Sequence, residues 1–327
     1  MDANRAAMLR LLSGYYYSQT LYVFAELRIA DRLREGPRSA TELANLAGAE
    51  PEALHRLLRA LASLGIVDEF ADGRFGSTPL ASLLDSERAD SLHELAVLGG
   101  HPLHWSAWGK LLHAIETGAT AFDAAAGRPW FEALAAEPAL LAAVQRILGK
   151  VAPPTAAWLA QLALERFAVI VDVGGGFGDL ARAAAQAYPA AAVTLFDRPE
   201  VVAAAPLPAA IARVAGDFFA HVPAAQGAYL LRFVLHDWSD ADASRILVRC
   251  REAMRPGSRL FVIESVLPDG PGASIAKTHD LNMLVLTGGR ERTLAQYEAL
   301  LRGAGLSIAR HLAPAHAGPD VLEAMPA

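Results

Sequence analysis

The strongest constraint on the fold is the stretch Val169–Asp179, where the apolar run Val-Ile-Val-Asp-Val gives way to four glycines within five positions. The run is typical of a buried strand, and a helical pattern follows the glycines. Glycines at 174, 176 and 178 let the backbone approach a ligand where any Cβ would collide. The stretch therefore predicts the strand, loop and helix of an α/β nucleotide-binding fold.

Charges around this loop favour a cationic nucleoside over a dinucleotide. The dinucleotide fingerprint G-x-G-x-x-G/A requires Gly or Ala where this chain has Asp179. Asp172 and Asp179 would repel a pyrophosphate, whereas they would attract the ammonium and sulfonium groups of S-adenosyl-L-methionine. We expect that cofactor, with Asp172, Gly174, Gly176 and Gly178 in its site.

Two further strand ends carry acids that fit the same cofactor. The run Val193–Asp197 ends about 20 residues beyond the glycines, where a carboxylate accepts hydrogen bonds from a ribose diol. A third β-rich run, Ile211–Phe219, contains Asp217, an acceptor for an adenine amino group, and Phe218, an aromatic ring that packs on adenine. We therefore expect Asp197, Asp217 and Phe218 in the cofactor site.

The segment Tyr229–Trp238 reads as an apolar strand whose end brings His236 to the cofactor edge of the sheet. Methyl transfer to a phenol, with a pKa of about 10, needs a base, and a histidine with a pKa near 6.5 takes up that proton. Glu264 ends the next predicted strand, and Glu291 follows in a loop. We expect His236 to be the base, with Glu264 and Glu291 as its carboxylate partners.

Four segments together resemble S-adenosylmethionine-dependent O-methyltransferases of the plant caffeic acid type and their bacterial natural-product relatives. They are Asp172–Gly178, Gly216–Phe219, Leu235–Asp240 and Gly288–Thr293. The resemblance covers nearly the whole chain.

The resemblance implies the same roles for the acids at 197 and 217, for Phe218 and for the two glutamates. It also implies that Arg232 stands near the cofactor, where a lysine is common in the family, although a planar guanidinium is not equivalent to an ammonium. Asn282 and Met283 match a helix that lines the acceptor pocket. Asp237 either caps the following helix or lies beside the acceptor.

The implied fold is α/β, a Rossmann-like class I methyltransferase domain with an N-terminal winged-helix dimerisation domain. We expect the winged helix over residues 1–95, a helical bridge and substrate lid over 96–160, and the cofactor domain over 161–327. Helical patterns over 40–47 and 50–61 precede a predicted two-stranded wing at 66–70 and 74–77. Residues 306–310 and 320–324 predict an antiparallel hairpin that closes the sheet.

A winged helix is also a common DNA-binding fold, but the charges here argue against DNA. Residues 1–100 contain ten arginines and no lysine against fourteen acids, and the second helix begins with Glu50 and Glu52. We therefore expect a homodimer, with the tyrosines at 15, 16 and 17 at the interface, and no nucleic-acid partner.

The predicted bridge is broken at 99–102, at 127–129 and at Pro153-Pro154. Its aromatic residues provide faces for a planar acceptor, with Trp105 the main candidate beside Trp108, Trp130 and Phe131. His101 and His104 have no obvious third ligand for a metal and are expected to line or support a pocket.

Composition sets further limits. The single cysteine, Cys250, precludes an intramolecular disulfide and fits a reducing, cytoplasmic setting. A net charge of −6 disfavours general attraction to nucleic acid or anionic membranes. Magnesium-type methyltransferases need converging carboxylates, and no such cluster accompanies His236-Asp237-Trp238 in the sequence. We expect no metal.

These observations favour methyl transfer to a hydroxyl of a small aromatic metabolite. Three alternatives remain open from sequence: N-methylation of a heteroaromatic ring, a cofactor-binding member with non-methylating chemistry, and a winged-helix regulator that senses a small ligand.

Overall fold

A computed structural model describes residues 2–151, 156–314 and 318–327. They divide into two compact units, one formed by residues 2–105 with 146–151 and the other by residues 106–145 with the described residues from 156 onwards. Pro153-Pro154, one of the predicted breaks, lies outside the described residues. Within the described part, no helix is long and apolar enough to cross a membrane.

The first unit has a winged-helix arrangement. Its elements up to the wing are α1 (Ala3–Leu12), α2 (Gly14–Glu26), α3 (Ile29–Arg32), β1 (Arg38–Ser39), α4 (Ala40–Ala47), α5 (Pro51–Ser63), β2 (Val67–Glu69) and β3 (Arg74–Ser77). The predicted helices and the antiparallel wing are confirmed. A third strand, β1, pairs with β3, and two residues are too short to predict from a pattern.

Local chemistry fixes the ends of α4 and α5. Ser39 and Glu42 form a capping box at the start of α4, and Gly48 ends the helix with a φ of 69°. The Glu50 side chain accepts the N–H groups of Glu52 and Ala53 at the start of α5. Glu50 is therefore the N-cap of α5.

A run of helices lies between the wing and the large sheet along the chain. They are α6 (Pro79–Ser82), α7 (His93–Gly100), α8 (Pro102–Trp108), α9 (Leu111–Thr117), α10 (Ala121–Ala126), α11 (Trp130–Ala136), α12 (Pro138–Val151) and α13 (Ala156–Ala160). Trp130, expected among the acceptor-facing aromatics, is buried against Phe122 with ring centroids 5.1 Å apart.

The second unit is built on a mostly parallel β-sheet with helices between its strands. Its remaining elements are β4 (Val169–Val173), α14 (Asp179–Ala187), β5 (Ala192–Asp197), α15 (Pro199–Ala204), β6 (Ala212–Ala215), β7 (Ala228–Arg232), α16 (Asp240–Ala253), β8 (Arg259–Glu264), β9 (Val266–Leu267), α17 (Ile275–Leu286), β10 (Arg292–Thr293), α18 (Leu294–Gly303), β11 (Leu306–Leu312) and β12 (Asp320–Pro326). Short 3₁₀ turns lie at Leu164–Arg166 and Leu235–Asp237.

Among the described residues, seven strands form this sheet in the order β11-β12-β8-β7-β4-β5-β6. Strands β4 to β8 are parallel, and β12 and β11 continue the sheet in antiparallel fashion, which confirms the predicted hairpin. β4 pairs with β5 on one side and β7 on the other, so the chain changes direction there. Ligands of open α/β sheets bind at such a switch point, beside the strands' carboxyl ends.

Two of the predicted strands are shorter than expected. The run predicted over Ile211–Phe219 is a strand only at β6, and Tyr229–Trp238 is a strand only as far as Arg232. His236 therefore lies on a turn beyond β7, not on the strand itself. Ser239, whose hydroxyl accepts the N–H of Asp242, caps α16, so Asp237 is not the cap.

Candidate active site

In the loop between β4 and α14, the surroundings of the glycines leave no space for side chains. Gly174, Gly176 and Gly178 have φ angles of 66°, 60° and 77°, which favour glycine. A Cβ at Gly176 would lie 2.1 Å from Oε1 of Gln145. The same oxygen accepts the N–H of Phe177 at 3.1 Å. The contact of Gln145 with this loop was not predictable from the sequence, because nothing distinguishes a single glutamine in a helix.

Asp172, at the end of β4, holds an unused acceptor beside this loop. Its Oδ2 accepts the N–H of Ala181 at 3.0 Å, while its buried Oδ1 has no hydrogen-bond partner among the described residues. Burial raises the pKa of Asp172 to about 7, although the positive charge of Arg232 opposes this shift. An orphaned buried carboxylate oxygen is suited to a cationic donor of a ligand.

Asp197, at the end of β5, is tied to the glycine loop. Its Oδ2 accepts the N–H of Gly176 at 2.8 Å, and its Oδ1 accepts the N–H of Arg198 at 2.7 Å. Burial raises its pKa. Since each carboxylate oxygen has two lone pairs, one on each remains for a ligand hydroxyl.

Asp217 and Phe218 follow β6. Asp217 is exposed, and its Oδ1 accepts the N–H of Phe219 at 2.8 Å. The half-buried Phe218 ring contacts the Trp238 ring edge to face, with centroids 6.0 Å apart, and its Cε1 lies 3.4 Å from the position of a Cβ on Gly174. The structure thus brings Phe218 to the glycine loop.

A tight turn after β7 carries the central histidine. Phe233 has a φ of 51°, a left-handed conformation that costs about 1–3 kcal/mol for a residue other than glycine. The next two N–H groups, of Val234 and Leu235, both point at Oε1 of Glu264, at 3.0 and 2.7 Å. Consecutive N–H groups that converge on one oxygen form an anion-binding concavity, and here Glu264 occupies it.

His236 is almost enclosed, with 14% of its side chain exposed. Its Nδ1 donates to Oε1 of Glu291 at 3.0 Å, while Oε2 of Glu264 lies farther from Nδ1, at 3.6 Å. Asp237 Oδ1 lies 3.9 Å from Nε2, beyond hydrogen-bond distance. Both predicted glutamates therefore lie beside His236, but Glu291 is the direct partner.

These carboxylates determine the charge of the cluster. Burial alone would lower the pKa of His236, but Glu264, Asp237 and Glu291 together outweigh it and raise the pKa to about 10. Burial raises the pKa of Glu264 to about 7 and that of Asp237 to about 6, although the positive charge of His236 opposes both shifts. The three carboxylates therefore favour the protonated form of His236.

The loop before β10 fits tightly against this turn. A Cβ on Gly289 would lie 2.0 Å from the backbone oxygen of His236, and the N–H of Arg290 donates to that oxygen at 2.8 Å. The fully buried Arg292 donates to the carbonyls of Leu235 and Trp238, each at 2.8 Å. Arg292 thus holds both ends of the histidine turn, a role that its position beside Glu291 did not reveal from sequence.

One group of side chains has the spacing of a cation site. Ligand atoms of His236, Glu264 and Glu291 lie within 4.8 Å of one another, and Oε2 of each glutamate lacks a hydrogen-bond partner among the described residues. The segment His236-Asp237-Trp238 itself carries no such cluster, and the two glutamates are those predicted as carboxylate partners of His236. The two acids are far from His236 along the chain, and only the fold brings them to it.

The predicted acceptor-lining residues have mixed placements. Asn282 and Met283 are half-buried on α17, and the Asn282 amide oxygen accepts Nε1–H of Trp108 at 3.1 Å. Asp237 keeps 22% of its side chain exposed.

Among the predicted aromatic residues, Trp105 is 38% exposed and belongs to the first unit. Phe131 belongs to the second unit, and its ring stacks on Trp238 with centroids 5.4 Å apart.

Comparison with protein families gives two matches. Residues 108–307 match the O-methyltransferase domain, and residues 9–86 match the O-methyltransferase dimerisation domain.

Similar proteins of known activity span almost the same length. The chain is 37% identical to the phenazine O-methyltransferase PhzM of Lysobacter antibioticus, over 98% of this chain and 95% of that protein. It is 36% identical to the mitomycin biosynthesis 6-O-methyltransferase of Streptomyces lavendulae, over 94% and 90% of the two chains. It is also 35% identical to the 8-amino-8-demethylriboflavin N,N-dimethyltransferase of Streptomyces davaonensis, over 88% and 86%.

Solved structures agree with the fold. The crystal structure of LaPhzM superposes with a TM-score of 0.95 at 35% identity and covers 100% of both chains. The O-methyltransferase NcsB1 of neocarzinostatin biosynthesis, solved with S-adenosyl-L-homocysteine and 1,4-dihydroxy-2-naphthoic acid, has a TM-score of 0.85 at 31% identity and covers 98% of both chains.

The fit of the Gly289 loop gives a prediction. Gly289→Ala places a methyl group 2.0 Å from the His236 carbonyl, so the loop must move, and we expect a loss of about 1–3 kcal/mol of unfolding free energy in urea. Gly303→Ala in α18 is the control, since a Cβ there meets nothing within 4 Å. We expect the control to be neutral or slightly stabilising. Equal effects of the two substitutions would contradict the tight fit.

Proposed function

This chain belongs to the family of S-adenosylmethionine-dependent O-methyltransferases, and from that membership we propose that it methylates a hydroxyl of a small aromatic metabolite with His236 as the general base. The observation that carries the base assignment is the His236 geometry. Glu291 holds Nδ1 at 3.0 Å, and Nε2 makes no hydrogen bond to Asp237 at 3.9 Å. Nε2 is then the atom that accepts the proton of the acceptor hydroxyl.

The residues around the glycine loop fit the cofactor. Oδ1 of Asp172 would accept from its ammonium group, the free lone pairs of Asp197 would accept from the ribose, and Asp217 and Phe218 would contact the adenine. Arg232, whose guanidinium carbon lies 5.0 Å from the centroid of the Phe233 ring, borders the same site. When bound, the cofactor would supply a methyl group activated by the sulfonium.

The raised pKa of His236 fits this role once the cofactor charge is considered. The neighbouring carboxylates favour the protonated imidazole, and only the neutral imidazole acts as a base. A positively charged cofactor in the same pocket disfavours the protonated form and lowers the pKa. The carboxylates of Glu264 and Glu291 then keep the neutral imidazole basic enough to take a phenol proton, because they stabilise the imidazolium that forms.

Proton sharing also accounts for the cluster of His236, Glu264 and Glu291 without a metal. A metal needs the lone pair of a histidine nitrogen, and Nδ1 uses its position for a proton shared with Glu291. Glu264 Oε1 already accepts two N–H groups. The cluster therefore serves proton transfer.

We assign the acceptor pocket to the face of α17 that carries Asn282 and Met283, with Asp237 at its edge. The hydrogen bond between Trp108 and Asn282 fixes the amide orientation, which leaves the amide N–H groups to donate to an acceptor. NcsB1, with its bound dihydroxynaphthoic acid, supports a planar aromatic acceptor.

The chain is also proposed to act as a homodimer. Residues 9–86 match the dimerisation domain, and α1 and α2 expose large apolar side chains. These are Met8, Leu9, Leu11, Leu12, Tyr15, Tyr16 and Tyr17, which are 37–76% exposed in one chain. An apolar surface of this kind favours association. The match also favours dimerisation over DNA recognition or ligand-sensing regulation.

N-methylation is the second candidate. The similarity to the aminoriboflavin N,N-dimethyltransferase shows that proteins of this fold include enzymes named for transfer to nitrogen. An amine has a free lone pair once neutral and does not need His236 to remove a proton before attack. The effect of replacing His236 therefore separates the two reactions.

The dimer proposal predicts an effect of charge at the apolar surface. Leu11→Asp, at a side chain 76% exposed in one chain, should shift the protein from dimer to monomer in sedimentation equilibrium. Leu112→Asp, at a side chain 69% exposed on α9, outside the dimerisation match, is the control. A monomeric wild-type protein would overturn the proposal.

The cofactor proposal predicts an effect at the end of β5. Asp197→Ala removes the charged acceptor of the ribose hydroxyls, and we expect binding of S-adenosylhomocysteine to weaken by about 1.5–3 kcal/mol in titration calorimetry. Glu298→Ala, an exposed acid on α18, should leave the affinity unchanged. Unchanged affinity in the Asp197 variant would refute the ribose assignment.

The base proposal predicts that chemistry and binding separate. His236→Ala should lower kcat by roughly 10²–10⁴-fold while S-adenosylhomocysteine affinity changes little. His311→Ala, at an exposed position on the edge strand β11, is the control. The loss should shrink as the pH approaches about 10, because the phenol then ionises without a base. Near-normal turnover of the His236 variant at pH 7 would favour the nitrogen acceptor.

A further inference from the structure

Phe233 is an unexpected residue at its position. Its φ of 51° lies in the left-handed region, where glycine and asparagine are the usual residues and a bulky side chain is an outlier. Among the described residues, Arg28 and Ala163 are the other non-glycine residues with positive φ. Neither belongs to the candidate active site. An aromatic ring held in such a backbone requires a reason beyond the turn itself.

The backbone of the turn does not supply that reason. The N–H of Phe233 donates to the carbonyl of Ile263 at 3.0 Å, and the N–H groups of Val234 and Leu235 follow toward Glu264. All three bonds use main-chain donors. Glycine would make them with less strain, so the turn alone would favour glycine at this position.

The ring has a specific contact with the histidine. Phe233 stacks on the His236 imidazole with centroids 5.7 Å apart and planes 23° from parallel. The bond from Nδ1 to Glu291 fixes one atom of the imidazole. Rotation of an imidazole about its second side-chain torsion is broad, so a single hydrogen bond leaves the plane free to tilt. A ring stacked on its face removes that freedom.

We propose that Phe233 is a positioning residue that fixes the plane of the His236 imidazole, so that Nε2 keeps a constant direction toward the acceptor. This inference rests on the proposed role of His236 as the base. The Phe233 π-face also favours the imidazolium, since a cation over an aromatic ring is attracted by the ring quadrupole. On this proposal, the left-handed backbone at Phe233 serves to place the ring beside the base.

Three substitutions separate the ring from the turn. Phe233→Tyr keeps an aromatic face in the same backbone, Phe233→Leu keeps apolar bulk without a flat face, and Phe233→Asn suits the left-handed conformation without a ring. We expect the tyrosine variant to retain kcat within about threefold of the wild type. The leucine and asparagine variants should lose kcat by roughly 10- to 100-fold, the effect of a misplacement of about 1 Å. Affinity for S-adenosylhomocysteine should change less.

A double variant tests whether the effect passes through His236. In a His236→Ala background, Phe233→Leu should cause no further loss of kcat, because there is no imidazole left to position. A full additional loss would show that Phe233 acts elsewhere and would overturn the proposal. Normal kcat in both folded leucine and asparagine variants would also overturn it.

A measurement without turnover separates this proposal from the base assignment. In spectra of histidine labelled with ¹³C and ¹⁵N, the ring current of Phe233 should displace the His236 Cε1–H resonance, and Phe233→Leu should remove that displacement. If His236→Ala leaves turnover normal but the resonance moves, the base assignment fails and the contact stands. If the resonance does not move in the leucine variant, the contact itself is refuted.

Discussion

The hydrogen bonds from the N–H groups of Val234 and Leu235 to Glu264 Oε1 hold the turn on which the candidate site depends. Both donors are buried, and a buried N–H without a partner costs about 1–3 kcal/mol. Glu264 reaches them because β8 pairs in parallel with β7 and ends beside it. The sheet register thus fixes the carboxylate, the carboxylate fixes the turn, and the turn presents His236.

Local patterns predicted the parts of this arrangement that depend on neighbouring residues. The glycine loop, the strand ends at Asp197 and Glu264, and the winged helix all follow from periodicity and turn chemistry. Because parallel strands end at one edge of a sheet, the sequence alone predicts that Glu264 lies near His236. The hydrogen bonds from the turn N–H groups to Glu264 were not predictable, because the sequence predicts a strand where the turn lies.

Contacts between distant segments were not predictable from sequence. Gln145 meets the glycine loop across more than thirty positions of the chain, and Arg292 holds the histidine turn from another loop. Neither residue type is distinctive in its sequence context. The turn at Phe233 is even less predictable from sequence, because left-handed turns are predicted from glycine and this position holds an aromatic residue. Tertiary contacts overrule local preference at each of these sites.

The proposed reaction keeps the charge of a buried pocket constant. If the acceptor hydroxyl gave its proton to His236 and received the methyl group, one positive charge would appear on the imidazole while the positive charge of the sulfonium would be lost. Creating an isolated charge in a medium of low dielectric constant is costly, whereas moving one within reach of the same carboxylates is not. Glu264 and Glu291 therefore face a cation before and after transfer. The carboxylates that raise the pKa of His236 are also the groups that would stabilise the imidazolium of the proposed reaction, so the raised pKa and the proposed role have one physical cause.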